Sequence, residues 1–476
     1  MSKKIVIDPV TRIEGHAKIV ITLDENEAVD DVKFHVVEFR GFEKFVEGRH
    51  LSEMASITSR ICGICPVSHH LAAAKACDRL MGVEPPRPAS MLRSLMHKGQ
   101  VVQSHALSFF HLSSPDFLLG FDADPGTRNI VGLIGANPEL ARKGIALRKF
   151  GQEVIEAVGG RKIHPDVCVP GGMNRALGQE DRDRLRKGLD GAMDNAQAGL
   201  DTLRDYIEKN AGMVNSFATF PTSYMGTVNE DGGLALYDGW LRLVDRNGES
   251  LEDFWSPQDY LSIIGEVTED WSYLKFPFYR PQGYPEGTYR VGPLARLNAV
   301  SSVEGERASE AWKAFRDING GKPVEGSMYY HYARMVEIMY SLEKIARLLD
   351  DPEIVSTDLI TPSSEVDGEG VGCIEAPRGT LFHHYWANET GAIEKANFIV
   401  ATGHNNISMN RAVLDVAKQY VKGAELREGM LNRVEAAIRC YDPCLSCSTH
   451  AVGQMPIRLE LRGPGGELLD EAVRGA

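Results

Sequence analysis

Residues 60–70 read RICGICPVSHH, and residues 441–450 read YDPCLSCSTH. Each stretch sets two cysteines three apart and follows them with a histidine, and most of the chain lies between the two. Pro66 suits the first turn of a helix and Gly82 follows its last periodic residues, so Cys62 and Cys65 fall just before and at a helix start. Backbone N–H groups there favour thiolate over thiol, as ligation of a soft metal requires. His69 stands one turn beyond Cys65, placed to hydrogen-bond a thiolate. Two CxxC pairs commonly hold structural zinc. Here they are too distant in sequence for a zinc module, and only a large preformed core brings them to one metal.

The 476 residues carry a net charge of −14, with 43% hydrophobic and 25% charged residues. That balance suits a soluble globular protein and, with no basic run, argues against nucleic-acid binding. The N-terminus reaches Asp8, Arg12 and Glu14 before an apolar core of signal-peptide length forms, and nowhere do 18 apolar residues run together. No secretion signal and no membrane span are expected. Eight cysteines in such a chain do not make a disulfide framework. Cys77, Cys168, Cys373 and Cys440 read as small buried hydrophobes.

Periodicity gives the architecture. AKIVITL puts Ala17, Ile19, Ile21 and Leu23 on one strand face, and VKFHVVEF continues the pattern. Leu185, Leu189, Ala192, Ala196, Leu200, Leu203 and Ile207 predict a long amphipathic helix ended by Gly212. Tyr332, Met335, Met339, Leu342, Ile345 and Leu349 predict another. GLALYDGWLRLVDRNGES reads as strands joined at Asn247-Gly248. The expectation is one α+β, mainly helical domain, with β edges near the N-terminus and around residues 214–300.

RICGICPVSHH resembles the R-x-C-G-x-C-x-x-x-H signature of [NiFe]-hydrogenase large subunits, and YDPCLSCSTH matches their D-P-C-x-x-C-x-x-H signature. PVTRIEGH (9–16), FRGFE (39–43), EAPRG (375–379) and ANFIVAT (396–402) are similar to further family blocks in the same order. HVVEFRGFEKF and THAVGQMP resemble the soluble NAD-reducing group. The resemblance implies that Cys62 and Cys444 are terminal nickel ligands, while Cys65 and Cys447 bridge nickel to an iron carrying CO and cyanide. H2 would be split heterolytically, Cys444 taking the proton and Glu14 relaying it. The same resemblance implies Arg378 over the open coordination position, with Pro377 and Thr402 lining the iron's diatomic ligands. It also implies a structural Mg2+ held by Glu43, His450 and a backbone carbonyl near Phe398. One departure is Ser104, where many periplasmic members carry an Asp.

The chain has no further cysteine set for Fe–S clusters and no GxGxxG after a strand. The resemblance therefore implies partners: a small Fe–S subunit, diaphorase subunits with flavin and NAD, nickel-insertion factors and a maturation protease. It implies a cytoplasmic location, a mature catalytic domain of residues 1–450, and an extension of residues 451–476 removed after nickel insertion by cleavage between His450 and Ala451. By composition alone, residues 451–476 read as a hairpin around Gly463-Pro464-Gly465-Gly466. The alternatives are a hydrogenase subunit serving another acceptor (deazaflavin or a bifurcating partner), a quinone-site-like subunit, and a zinc-stabilised interaction protein.

Overall fold

A computed structural model describes residues 4–363, 365–423 and 427–449, with the backbone of two further strands, Ile457–Arg462 and Leu468–Arg474. The N-terminal strands Lys4–Ile7, Ala17–Leu23 and Val29–Val36 form an antiparallel sheet in that order. Ala17, Ile19, Ile21 and Leu23 are all buried, as their alternation predicts. Each large apolar side chain so buried stabilises the sheet by roughly 1.5–3 kcal/mol.

Helix Pro66–Leu80 begins where the proline predicts, with Cys65 as its N-cap residue. It lies across the strands Glu369–Ala376 and Gly379–Ala387, which pair with Ile393–Ile399 in a three-stranded antiparallel sheet. Helix and sheet approach at backbone distance because two residues of the first strand have no side chain. A Cβ on Gly372 would sit 2.0 Å from the Ala72 carbonyl oxygen, and one on Gly370 would sit 2.4 Å from that of Ala76. The sheet thereby fixes the helix that presents Cys65 and His69, and its own Ala376–Gly379 turn delivers Pro377 and Arg378.

This central sheet was not expected. Glu369–Ala376 and Gly379–Ala387 are buried on both faces almost throughout, so neither shows the alternation that marks a half-exposed strand. The β region from 214 to 300 is present as Ser223–Val228, Trp240–Val244 and Ser250–Trp255, with Tyr289–Arg290 added in parallel and a separate hairpin, Ile264–Glu269 with Ser272–Tyr279. The Asn247-Gly248 turn joins two of these strands, Gly248 supplying a φ of +87°. Residues 234–239 contribute only a bridge from Leu234 to Val228.

Four helices, Arg87–Ala106, Pro138–Gly159, Gln179–Lys209 and Tyr329–Asp350, pack on one another, and the first of them packs against helix Pro66–Leu80. The Gln179–Lys209 helix ends at Asn210, before the expected Gly212, which lies inside the short helix Ala211–Ser216. Asn210 leaves helical geometry and satisfies its own end by donating from Nδ2 to the Tyr206 carbonyl at 2.9 Å. Among the described residues no helix is long and apolar enough to cross a membrane. The strands Ile457–Arg462 and Leu468–Arg474 pair antiparallel as composition suggested, while His450, Ala451 and the glycine-rich connection lie outside the described residues.

The close approach of helix and sheet is directly testable. Gly372→Ala should cost about 3 kcal/mol through forced separation of the two backbones, read as a lower denaturation midpoint. Gly63→Ala, whose Cβ would meet nothing within 4 Å, should leave the midpoint within about 0.5 kcal/mol. Equal midpoints for the two variants would refute the role given to Gly372.

Candidate metal centre

The Cys62-Gly63-Ile64-Cys65 turn folds around a sulfur. The amides of Ile64 and Cys65 both donate to Cys62 Sγ, at 3.2 Å each. Opposite it, helix Glu428–Tyr441 is stopped by Asp442, whose φ of +54° turns the chain left-handed before Pro443. Cys444 follows as the N-cap residue of a single turn, Leu445–Ser448, that carries Cys447. The Cys444 amide donates to Thr402 Oγ1 at 3.0 Å.

The four sulfurs come together. Cys62 and Cys444 Sγ are 3.3 Å apart, Cys65 and Cys447 3.7 Å, and Cys444 and Cys447 2.8 Å, and all four lie within 4.8 Å of one another. Tetrahedral thiolates about 2.3 Å from one metal would stand about 3.8 Å apart, so this donor set fits a single soft ion. Among the described residues it is the one group of three or more His, Cys, Asp or Glu side chains with metal-binding spacing. The other four cysteines are buried elsewhere, and burial raises the pKa of each.

Charge is distributed unevenly over the cluster. Burial opposes ionisation of Cys62, but hydrogen bonds from Cys444, Cys447 and Cys65 and the charge of Arg378 outweigh it and hold its pKa well below the usual thiol range. Burial and the neighbouring sulfurs push Cys444 and Cys447 well above that range. Without a cation the cluster favours one thiolate solvated by thiols; a metal is what allows further deprotonation.

The N-terminus supplies the nearest carboxylate. Glu14 pairs with Cys444 as a parallel bridge, its carbonyl accepting from the Leu445 amide at 3.1 Å. Its Oε2 is 3.1 Å from Cys444 Sγ and also accepts from the Ser446 amide at 3.1 Å. Gly15 makes the approach possible: its φ is +86°, and a Cβ there would meet Leu445 Cβ at 2.7 Å. The segment is laced down by residues that sequence reading did not single out. Arg12 donates to Asp116 Oδ1 at 2.5 Å and to Leu112 O at 2.7 Å, Thr11 N donates to Glu435 Oε1 at 2.6 Å, and Arg439 donates to Thr11 O at 3.1 Å.

Cys65, Cys444 and Cys447 line a small enclosed cavity with His69, Pro377, Arg378 and Thr402. His69 Nδ1 lies 3.0 Å from His383 Nε2, whose Nδ1 is 2.8 Å from the Tyr385 hydroxyl. Arg378 is buried and donates from Nε to the Asp442 carbonyl at 2.5 Å and from Nη1 to Ser104 Oγ at 3.4 Å. Its Nη2 is 3.1 Å from Asp442 Oδ2, an ion pair not aligned as a hydrogen bond. Burial disfavours the guanidinium, but Asp442 and the sulfurs of Cys444, Cys65 and Cys62 more than compensate and keep it charged. Asp442 stands in the quoted D-P-C motif, yet its pairing with Arg378 had no signal in the spacing.

Glu43 lies on the short helix Phe42–Val46 with both carboxylate oxygens buried. The adjoining Arg40 amide donates to the Thr449 carbonyl at 3.0 Å, so this helix abuts the C-terminal signature. Phe398 stacks on His383 with ring centroids 4.4 Å apart. His450 lies outside the described residues.

Four buried sulfurs at this spacing would serve zinc as well as nickel, and kinship decides between them. The family model described as nickel-dependent hydrogenase matches residues 40–125 and 216–450, which include both cysteine pairs. The chain belongs to the nickel-dependent hydrogenases. A model described as HoxL-like matches residues 4–39. Among curated relatives, the chain is 45% identical to the NAD-reducing hydrogenase HoxS subunit beta of Cupriavidus necator, over 100% of both chains. It is 45% identical to a subunit of the F420-non-reducing hydrogenase vhu of Methanocaldococcus jannaschii, over 88% of this chain and 100% of that one. Its fold superimposes on a crystal structure of an NAD+-reducing [NiFe]-hydrogenase in the H2-reduced state with a TM-score of 0.92 and 44% identity, covering 94% and 99% of the two chains. The Ni-Fe-Se hydrogenase of D. vulgaris Hildenborough shares the fold, with a TM-score of 0.77 at 24% identity, covering 94% and 100%. As a hydrogenase catalytic subunit, the chain requires a nickel-containing centre, and the four-sulfur cluster fits one.

Asp442→Asn keeps the left-handed backbone accessible and removes only the charge facing Arg378. Leaving the buried guanidinium short of a counter-charge should cost about 2–3 kcal/mol in chemical denaturation of the metal-free chain. A loss below about 0.5 kcal/mol would mean that Asp442 does not carry that role.

Proposed function

We propose that this hydrogenase subunit splits or forms H2 at a Ni-Fe centre held by Cys62, Cys65, Cys444 and Cys447, with the iron carrying CO and cyanide. The observation that carries the reading is the convergence of four buried sulfurs within 4.8 Å beside an enclosed cavity. When bound, the centre supplies the Lewis acidity and redox capacity for heterolysis.

The chain's own residues do the rest. Cys444 Sγ is the proton acceptor, and Glu14 takes the proton from it over the 3.1 Å contact. The Ser446 amide fixes the accepting oxygen, and the Glu14–Leu445 main-chain bond fixes the strand that bears it. Arg378 keeps a positive charge at the cavity wall, with an Nη2 that has no aligned acceptor among the described residues and can donate to a ligand there. Pro377 and Thr402 complete the wall around the diatomic ligands; Thr402 also anchors the Cys444 amide. His69, one turn along the helix from Cys65, orients that side of the cluster through the chain to His383 and Tyr385.

We assign a structural Mg2+ to Glu43, His450 and the Phe398 carbonyl. Burial of both Glu43 oxygens beside Thr449 supports a cation there. Electrons leave through an Fe–S partner subunit toward flavin-bearing diaphorase subunits and NAD+, in the cytoplasm. Full-length similarity to the C. necator NAD-reducing subunit supports that acceptor. The exposed apolar side chains Val37, Phe39 and Phe45 beside the C-terminal signature support a covered face there. A second reading, the same chemistry with another acceptor, draws on equal identity to the M. jannaschii F420-non-reducing hydrogenase. We take residues 1–450 as the mature catalytic domain, with 451–476 removed by a maturation protease once insertion factors have delivered nickel.

Infrared spectra of the purified complex test the centre: sharp CO and cyanide stretches with about one nickel per chain are expected, and zinc without those bands would refute it. Glu14→Gln should lower H2 turnover about 10²–10³-fold while nickel content and the infrared bands persist; undiminished turnover would remove Glu14 from the relay. The nickel-loaded chain should have the intact mass of a product ending at His450, and retention of residues 451–476 would refute the proposed cleavage.

A further inference from the structure

A cavity of about 380 Å³ opens between the Arg87–Ala106 and Tyr329–Asp350 helices and residues 229–238. It shares no lining residue with the cysteine cavity. At its wall stands Lys98, only 3% exposed. A buried ammonium ordinarily has a carboxylate partner, because the cost of removing it from water is several kcal/mol. Among the described residues no carboxylate or carbonyl accepts a hydrogen bond from Lys98. It rests instead on the face of Tyr340, with Nζ 5.6 Å from the ring centroid.

The charges around Lys98 are engaged elsewhere. Lys344, over the same ring at 5.7 Å, is paired with Glu304. Asp238 is held by Lys75 at 2.6 Å. Arg87 binds Asp351 at 2.5 Å and Glu353 at 2.7 Å. Behind Lys98, Glu337 and Arg296 neutralise each other at 2.6 Å. Ser90 and Ser94 line the same cavity from the helix that bears Lys98, and among the described residues neither hydroxyl is bonded to protein.

We propose that this cavity binds a small molecule through a phosphate or carboxylate group, with Lys98 as its counter-ion and the Ser90 and Ser94 hydroxyls as additional donors. The volume is in the range of small-ligand pockets, and Met91, Leu234 and Leu348 give it apolar walls for the remainder of the molecule. An oxyanion there supplies the one partner that the protein does not provide to Lys98. Burial, then the charge of Lys344, bring the pKa of Lys98 down to about 7, with Asp238 and Glu337 opposing and Arg296 reinforcing the fall. A bound anion reverses that fall.

The test is competitive acylation of lysines in the assembled complex, read peptide by peptide by mass spectrometry across pH. Unliganded Lys98 should become reactive through about pH 7. At pH 8, 10 mM inorganic phosphate or acetate should slow its labelling about sixfold relative to chloride at equal ionic strength, as a dissociation constant near 2 mM requires. Exposed Lys187 should be unaffected. Protection by phosphate alone or by acetate alone assigns the oxyanion class. Protection by neither, or equal protection of Lys187, overturns the site. So does a Lys98 that never reacts, since a partner subunit would then fill the cavity. As a second readout, Lys98→Met should remain folded and lose any phosphate- or acetate-dependent rise in melting temperature; a rise that persists overturns the assignment.

Discussion

Four sulfurs packed within 4.8 Å inside a protein make a site that repels its own negative charge. Burial makes that repulsion worse, because little water remains to screen it. The structure answers with polar groups drawn from four separate parts of the chain. Two amides of the first CxxC turn face Cys62, Thr402 fixes the Cys444 backbone, Glu14 abuts Cys444 from the N-terminal segment, and Arg378 lines the cavity beside the sulfurs. Apart from those two amides, none of these is supplied locally by a CxxC turn. The requirement to bring them together explains why so much chain is needed for four side chains.

Meeting that requirement sets tight tolerances on the scaffold. Helix Pro66–Leu80 positions Cys65 only because Gly370 and Gly372 let the sheet beneath it approach to backbone contact. The N-terminal segment reaches Cys444 only because Gly15 adopts a left-handed conformation against Leu445. Arg12, Asp116, Asn432 and Arg439 then bind that segment to the helix leading into the second cysteine pair. These polar and charged groups do not form a hydrophobic core. Their contribution is positional, since each pairs across at least 300 residues of sequence except Arg12 with Asp116, at 104, and Asn432 with Arg439, seven apart.

The parts legible in the sequence are those where one periodic signal dominates. Ala17, Ile19, Ile21 and Leu23 recur at every second position and form the buried face of a strand; Leu185 to Leu203 step at helical spacing and form a helix. The paired cysteine motifs located the cluster because ligand chemistry restricts residue type and spacing together. The central sheet was hidden for the opposite reason: both of its faces are buried, which erases alternation. Asp442 was in plain view within D-P-C, but only the fold reveals that its carboxylate meets Arg378 and that its left-handed φ aims Cys444. The end of the Gln179–Lys209 helix was misplaced because Asn210, with a side chain that can satisfy its own terminus, competes with glycine for that role.

The departure at Ser104 changes how charge is balanced at the centre. Ser104 presents a hydroxyl and not a carboxylate, 3.4 Å from Arg378 Nη1. Asp442 is then the one carboxylate in ion-pair range of the guanidinium among the described residues, and burial raises its pKa against the pull of Arg378 and Arg334. Asp442 is thus one carboxylate facing two buried arginines. The remaining positive field falls on the sulfurs of Cys444, Cys65 and Cys62, which in turn hold Arg378 in its charged form. Arg378 and the cluster are therefore electrostatically coupled: removing a proton from a sulfur strengthens the guanidinium's hold, and withdrawing the guanidinium makes the sulfurs harder to ionise. A second carboxylate at position 104 would weaken that coupling by competing for the same cation.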